Sequence, residues 1–331
     1  MPVTISSPEA AVAATPYVLG FAPRDSVVLL LSGDGPHLAV RVDLPERADL
    51  NWIATILAGL PNPLPSKTVV LAYADTMAVP HTTEITKWLA DLLVAVTDLV
   101  AVLVIGDGRV RSLSEDGPLG QELDIDLESL RDHPVIAECV AQGMTCMPAR
   151  ETLASTLLPV ADTVASQVAD ALRTATAPTQ GYEKARAELE QRALHVLLSG
   201  DPLAPEDVVC VARACRDVHV RDPLLAIILD EHAHGQVTLA HVRTRLLYAI
   251  THLPDTDAAP VAATMALIAW ADGDGAVALM AADRACDLEP TNTLAPLVIH
   301  ALQHGLPPNT WASLTDDIPM EVLRGQVRRS A

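Results

Sequence analysis

A single change of hydrophobic rhythm constrains this chain more than any other feature. Residues 26–113 alternate short β-branched runs with helical stretches, and from about residue 134 onward nearly everything reads as helix. Apolar positions two apart line one face of a strand, and positions three and four apart line one face of a helix. The switch therefore predicts two modules with separate interiors: an α/β domain over 1–115, an acidic connection over 116–133, and an all-α helical domain over 134–331.

In the front module, Ser6-Ser7-Pro8-Glu9 suits a helix start, followed by a short helix to about residue 15 and a loop over Pro16–Pro23. Ser26–Ser32 reads as a buried strand, Gly33-Asp34-Gly35 as a turn, and His37–Asp43 as the returning strand of a hairpin. A helix over 48–59 presents Trp52, Ile53, Ile56 and Leu57 on one face. A strand at Lys67–Ala74, a helix at Thr82–Val96 and strands at Leu99–Ile105 and Arg109–Leu113 complete the module. A helix between strands implies a right-handed crossover and parallel pairing, whereas the hairpins add antiparallel pairs. The expected sheet is mixed, with about five strands and helices over at least one face.

Composition sets further bounds. Half of the 331 residues are hydrophobic but only nine are aromatic, so the core must be built from Ala, Val, Leu and Ile. The formal net charge of −20 repels phosphate backbones and anionic lipid, so neither nucleic acid nor a membrane is an expected partner. Positive charge is nearly all arginine, nineteen against three lysines. Five cysteines, Cys139, Cys146, Cys210, Cys215 and Cys286, include no pair at the spacing of a zinc knuckle or redox motif. They read as buried, reduced thiols of a cytoplasmic protein. Residues 1–20 lack a basic start followed by an apolar run, so no secretory leader is expected. The acids Glu115, Asp116, Glu122, Asp124, Asp126 and Glu128 read as an exposed connection, since their spacing fits no calcium loop.

The rear half carries helix signals at short intervals. Pro205-Glu206-Asp207 puts proline and acids in a first turn, Asp222-Pro223 pairs a cap with proline, and Gly200, Gly235 and Gly305 suit helix ends. Within Ala262–Pro290, the residues Ala269, Trp270, Gly273, Ala278, Ala281, Ala285 and Pro290 resemble a degenerate tetratricopeptide repeat, in which small residues let two antiparallel helices pack closely. A plain helical hairpin would show the same small residues. Several further segments stand out: Pro16–Val28 (PYVLGFAPRDSVV), Pro148–Leu153, Val220-Arg221-Asp222, and Trp270–Gly275 with Leu306-Pro307-Pro308. On these, the whole chain resembles the domain-of-unknown-function family 4192, found mostly in actinobacteria. The resemblance implies the two-part layout and a bacterial cytosolic setting; it brings no activity and no catalytic residue.

Candidate chemistry is sparse. Arg24, Asp25 and Ser26 sit just before the first strand, where an arginine and a carboxylate can hold an anion or a polar ligand, or simply fix the loop. Asp75 and Asp107 follow the third and fourth strands, at the carboxyl ends where open sheets bind ligands. Two carboxylates there could hold magnesium, but no glycine-rich phosphate loop or Walker lysine accompanies them. Gly-Asp-Gly recurs at 33–35, 106–108 and 273–275, each time where a tight turn is needed. Glu231, His232, His234 and His241 form the densest imidazole cluster, but His232 and His234 fall on different sides of a helix. Arg221, Asp222 and Trp270 are candidates for an interaction surface. No nucleophile elbow, cofactor motif or metal motif appears. The expectation is a non-enzymatic interaction or scaffold protein with a protein partner, no cofactor and no metal. The alternative is a small-ligand or nucleotide-handling enzyme with its site near Arg24, Asp75 and Asp107. An acidic mimic of nucleic acid would need carboxylates spaced like phosphates on one face.

Overall fold

The computed structural model describes residues 5–33, 38–47, 49–61, 64–75, 80–113, 123–175, 182–308, 310 and 318–325. The chain parts into two compact units, 1–153 and 154–331.

The first unit begins with helix α1, Pro8–Leu19. The Ser7 hydroxyl accepts the Ala10 N–H, Pro8 takes the first turn, and Gly20 ends the helix at φ +77°, a left-handed conformation that glycine adopts without a Cβ clash. The helix runs past Pro16 rather than stopping before it, so the expected loop starts later. Proline removes only one internal hydrogen bond, and the helix is held by burial of Ala10–Thr15 before it and of Leu19 after it.

A hairpin follows, β1 (Ser26–Ser32) and β2 (Leu38–Asp43), then α2 (Leu50–Ala58), β3 (Lys67–Tyr73), α3 (Pro80–Leu93), β4 (Asp98–Gly106) and β5 (Arg109–Ser112). Among the described residues the sheet has six strands in the order β2-β1-β3-β4-β5-β6. Only β3 and β4 pair in parallel; the other neighbours are antiparallel. The sixth strand, β6 (Asp124–Asp126), lies inside what the sequence offered as an acidic connection. Its position has an electrostatic reason. Asp124 faces Arg111 across the ladder and takes the Arg109 Nε–H at 2.6 Å, so cations on β5 hold the acidic segment as an edge strand. Residues Glu115, Asp116 and Glu122 lie outside the described residues, as does most of the first Gly-Asp-Gly.

Both crossovers, β2-α2-β3 and β3-α3-β4, step the same way along the sheet. Right-handed connections then place both helices on one face. Ile53, Ile56 and Leu60 of the α2 region and Leu89 and Leu93 of α3 pack there on Val27, Leu29, Leu31, Val70, Ala72, Val102 and Val104. The opposite face carries Val28, Leu71 and Leu103, and α1 packs against it at β3.

Helix α4 (Pro134–Ala141) packs on α1, and Phe21 pairs with Met147. These contacts keep 134–153 with the sheet, so the second unit starts later than the expected Pro134.

The second unit is helical. In order it contains α5 (Arg150–Ser155, which spans the boundary), α6 (Thr163–Thr174), α7 (Tyr182–Leu198), α8 (Pro205–Arg216), α9 (Val218–Ala233), α10 (Leu239–His252), α11 (Asp255–Ala271), α12 (Gly275–Leu288), α13 (Leu294–Gln303) and α14 (Met320–Leu323). Helix α11 is the axis: every residue from Ala258 to Trp270 is buried, and α8, α9, α10, α12 and α13 all pack on it. A helix apolar on all sides must be central. Ala262, Ala263, Ala266 and Ala269 are buried, as are Ala278, Ala281, Ala282 and Ala285 of α12, so these axes can approach closely.

Candidate functional site

The fold gathers Arg24, Asp25, Ser26, Asp75 and Asp107 at one end of the sheet. The register pairs Ser26 with Tyr73 across β1–β3, and Tyr73 with Ile105 across β3–β4. The start of β1 therefore lies beside the carboxyl ends of the two parallel strands. Arg24, Asp25, Asp75 and Asp107 are exposed, and Ser26 is buried with no partner for its hydroxyl among the described residues.

Local geometry explains much of this cluster. Asp25 has φ +39°. Its Oδ1 accepts the Asp75 N–H at 3.2 Å, and its carbonyl accepts the Leu44 N–H at 2.8 Å. One residue thus ties together the ends of three strands, the cost of a left-handed conformation being offset by two hydrogen bonds. Asp107 (φ +50°) and Gly108 (φ +70°) form the two-residue connection between β4 and β5, where right-handed strand twist requires positive φ at both positions. The Arg24 carbonyl accepts from Arg41 Nη2, and Arg41 also pairs with Asp43 and lies 5.8 Å over the Phe21 ring. Nothing in the linear sequence marked Arg41 as the support of this loop. Among the described residues no three His, Cys, Asp or Glu side chains are placed to hold a metal ion. Burial pushes the Tyr73 hydroxyl well above the ordinary tyrosine range, and the Thr15 hydroxyl offsets this in part.

The other singled-out residues stand apart from this end. Arg221 and Asp222 pair with each other at 2.7 Å, but neither starts a helix. Asp217 caps α9 by accepting the His219 N–H, and Pro223 lies inside the helix, which corrects the expected start at Asp222. Asp217 also holds Arg186 of α7 at 2.7 Å, whereas Asp222 pairs with its neighbour in sequence. Trp270 is 6% exposed and donates its indole N–H to the Leu306 carbonyl. Each imidazole of the histidine cluster contacts a backbone carbonyl instead of a shared centre: His232 that of Val237, His234 that of Asp230, His241 that of Ser199. The third Gly-Asp-Gly is held by an arginine from another helix. Arg243 reaches Asp272 at 2.7 Å and Asp274 at 2.5 Å, while Asp274 caps α12 through the Val277 N–H.

The helical unit also holds an open groove of about 750 Å³ between α6, α7 and α8. Arg192 and Arg213 line it with Asp170 and Glu206, over Leu189 and Val209. Arg192 pairs with Asp207 at 3.3 Å. Cys210 also lines the groove, and burial pushes its thiol up to about 11, so it is no ready nucleophile at neutral pH. All five cysteines are free thiols. No helix among the described residues is long and apolar enough to cross a membrane.

The model of the family described as Domain of unknown function (DUF4192) matches residues 8–309. The chain belongs to that family. No curated protein and no solved structure matches it. A tetratricopeptide match is not among these findings; α11 and α12 form a closely packed hairpin.

Proposed function

We propose that this DUF4192 protein is a non-enzymatic interaction protein whose helical unit docks a protein partner. The groove between α6, α7 and α8 carries the reading. It sets two guanidiniums and two carboxylates above an apolar floor, the mix that protein interfaces use for orientation and burial together. The α11–α12 hairpin, read as tetratricopeptide-like, would be the rigid support behind such a surface. A cytosolic setting accords with five unpaired thiols.

The test uses the full chain as bait in native lysate with cross-linking. A specific, saturable protein partner should appear, and the double charge reversal Arg192→Glu with Arg213→Glu should weaken its capture roughly tenfold, about 1.4 kcal/mol. If no saturable partner emerges, or if the reversal leaves capture unchanged in a folded variant, the groove is not the docking surface.

A second reading is a small-ligand or nucleotide-handling enzyme. Its support is that Arg24, Asp25, Asp75 and Asp107 share the carboxyl end of β3 and β4, where open sheets bind ligands. A thermal-shift screen with nucleotides and divalent cations distinguishes the two readings. A ligand at a hundredfold its Kd adds about 2.7 kcal/mol of stability. Asp75→Ala should abolish that shift, and a shift that survives the substitution rules this site out.

A further inference from the structure

One buried charge in the helical unit is balanced from far along the chain. Glu190, on α7, is 5% exposed. Its carboxylate is held in a two-pronged fashion by Arg324, with Nη2 at 2.7 Å from Oε1 and Nε at 3.2 Å from Oε2. Among the described residues no other cation pairs with it. A buried carboxylate stripped of its partner is costly, so this seat needs a guanidinium. The planar fork of arginine fits it as an ammonium does not.

The residues around Arg324 are read as well. The His219 ring of α9 lies beside the Leu323 carbonyl, with Nδ1 at 3.4 Å from the oxygen. Gly325 has φ +68°, and a Cβ built on it would stand 2.8 Å from His219 Cε1 and Nδ1. Backbone conformation and space thus both demand glycine after the arginine. The segment that supplies them is loosely held. Helix α14 is a single turn, none of residues 318–325 is buried, and Ile318 and Val322 are 41% and 47% exposed. A seat with a buried carboxylate and a half-buried imidazole is filled by a segment with little apolar contact, the kind of element that opens at low free energy.

We propose that Glu190 and His219 form a binding seat for an arginine–glycine turn, which Arg324-Gly325 occupies in cis and from which a partner segment carrying the same Arg-Gly pair displaces it. The seat is separate from the α6–α8 groove, so it stands or falls independently of that docking reading.

The probe is the end-capped octapeptide of residues 318–325, Ile-Pro-Met-Glu-Val-Leu-Arg-Gly, titrated calorimetrically into the full chain. Arg324→Ala should bind it at least about tenfold more tightly than the natural chain does, because the cis competitor is weakened. Binding should vanish for Arg324→Ala combined with Glu190→Gln, and for peptides with Ala in place of Arg or of Gly. Equal affinity in the natural chain and the Arg324→Ala variant, or affinity that survives Glu190→Gln, overturns the proposal. Hydrogen exchange on the natural chain gives an answer even where Arg324→Ala does not fold. Excess octapeptide should strip protection from the amides of 320–325 and leave α11 unchanged; protection that persists at saturating peptide overturns the seat.

Discussion

Replacing Arg243 by alanine removes the clamp that sets the turn between α11 and α12. The guanidinium makes two charge-assisted hydrogen bonds, 2.7 Å to Asp272 and 2.5 Å to Asp274. The three side chains are 21%, 22% and 32% exposed, so water screens the pair only in part. Burial draws the Arg243 pKa down, but Asp274 and Asp272 outweigh it and hold the guanidinium above its ordinary range. A hydrogen bond to a charged group contributes about 1.5–3 kcal/mol, and partial exposure argues for the lower end of that range. The two carboxylates left behind also repel each other, although Asp274 keeps its capping bond to the Val277 N–H. The expected loss is about 2–3 kcal/mol, which for a helical unit of this size lowers Tm by roughly 5–10 °C. Thermal unfolding followed by circular dichroism at 222 nm measures it. A double-mutant cycle of Arg243→Ala with Asp272→Asn should return a coupling of about 1 kcal/mol or more. A Tm drop under about 2 °C together with zero coupling would refute the reasoning, since the clamp would then be a screened surface pair.

Three other outcomes follow from the same physics. Ala266→Leu, on the fully buried face of α11, should cost at least about 1–3 kcal/mol in urea unfolding, because well-packed helices have no room for the added methylenes; a neutral result would mean that α11 is not the packed axis. Asp25→Ala should lower stability by about 1–2 kcal/mol through the lost bond to the Asp75 N–H and the positive φ, and Asp25→Asn should recover most of it; equal effects of the two would remove the bond from the account. Burial pushes the Cys215 thiol up to about 11, partly offset by Thr264 and Arg221. A folded-state pKa above the unfolded value of about 8.5 means that this contribution is fully present below pH 8.5 and is lost as pH rises through about 11. Urea unfolding of Cys215→Ala should accordingly show a shallower decline over that window, and an unchanged pH slope would contradict the buried-thiol argument.

The local grammar of this chain was plain in its residues. The change of hydrophobic period announced a sheet followed by helices, Ser7-Pro8 set the start of α1, and Asp107-Gly108 set the β4–β5 turn, because each depends on neighbours a few positions away. What tertiary structure decided were the choices among locally equivalent options. Asp217 and Asp222 are both good caps by type; Asp217, tied to Arg186 on another helix, is the one that caps α9, whereas Asp222 pairs with its own neighbour Arg221. The acids at 124–126 suit a loop as well as a strand until Arg109 and Arg111 stand opposite them. Arg24, Asp75 and Asp107 are scattered along the chain; the parallel register of β3 and β4 brings Asp75 and Asp107 to one end, and the antiparallel pairing of β1 with β3 adds Arg24. Glu190 and Arg324 lie 134 positions apart, so no short-range pattern records their contact. Periodicity and capping are properties of a few consecutive residues, whereas a buried charge finds its partner through the folding of the whole unit.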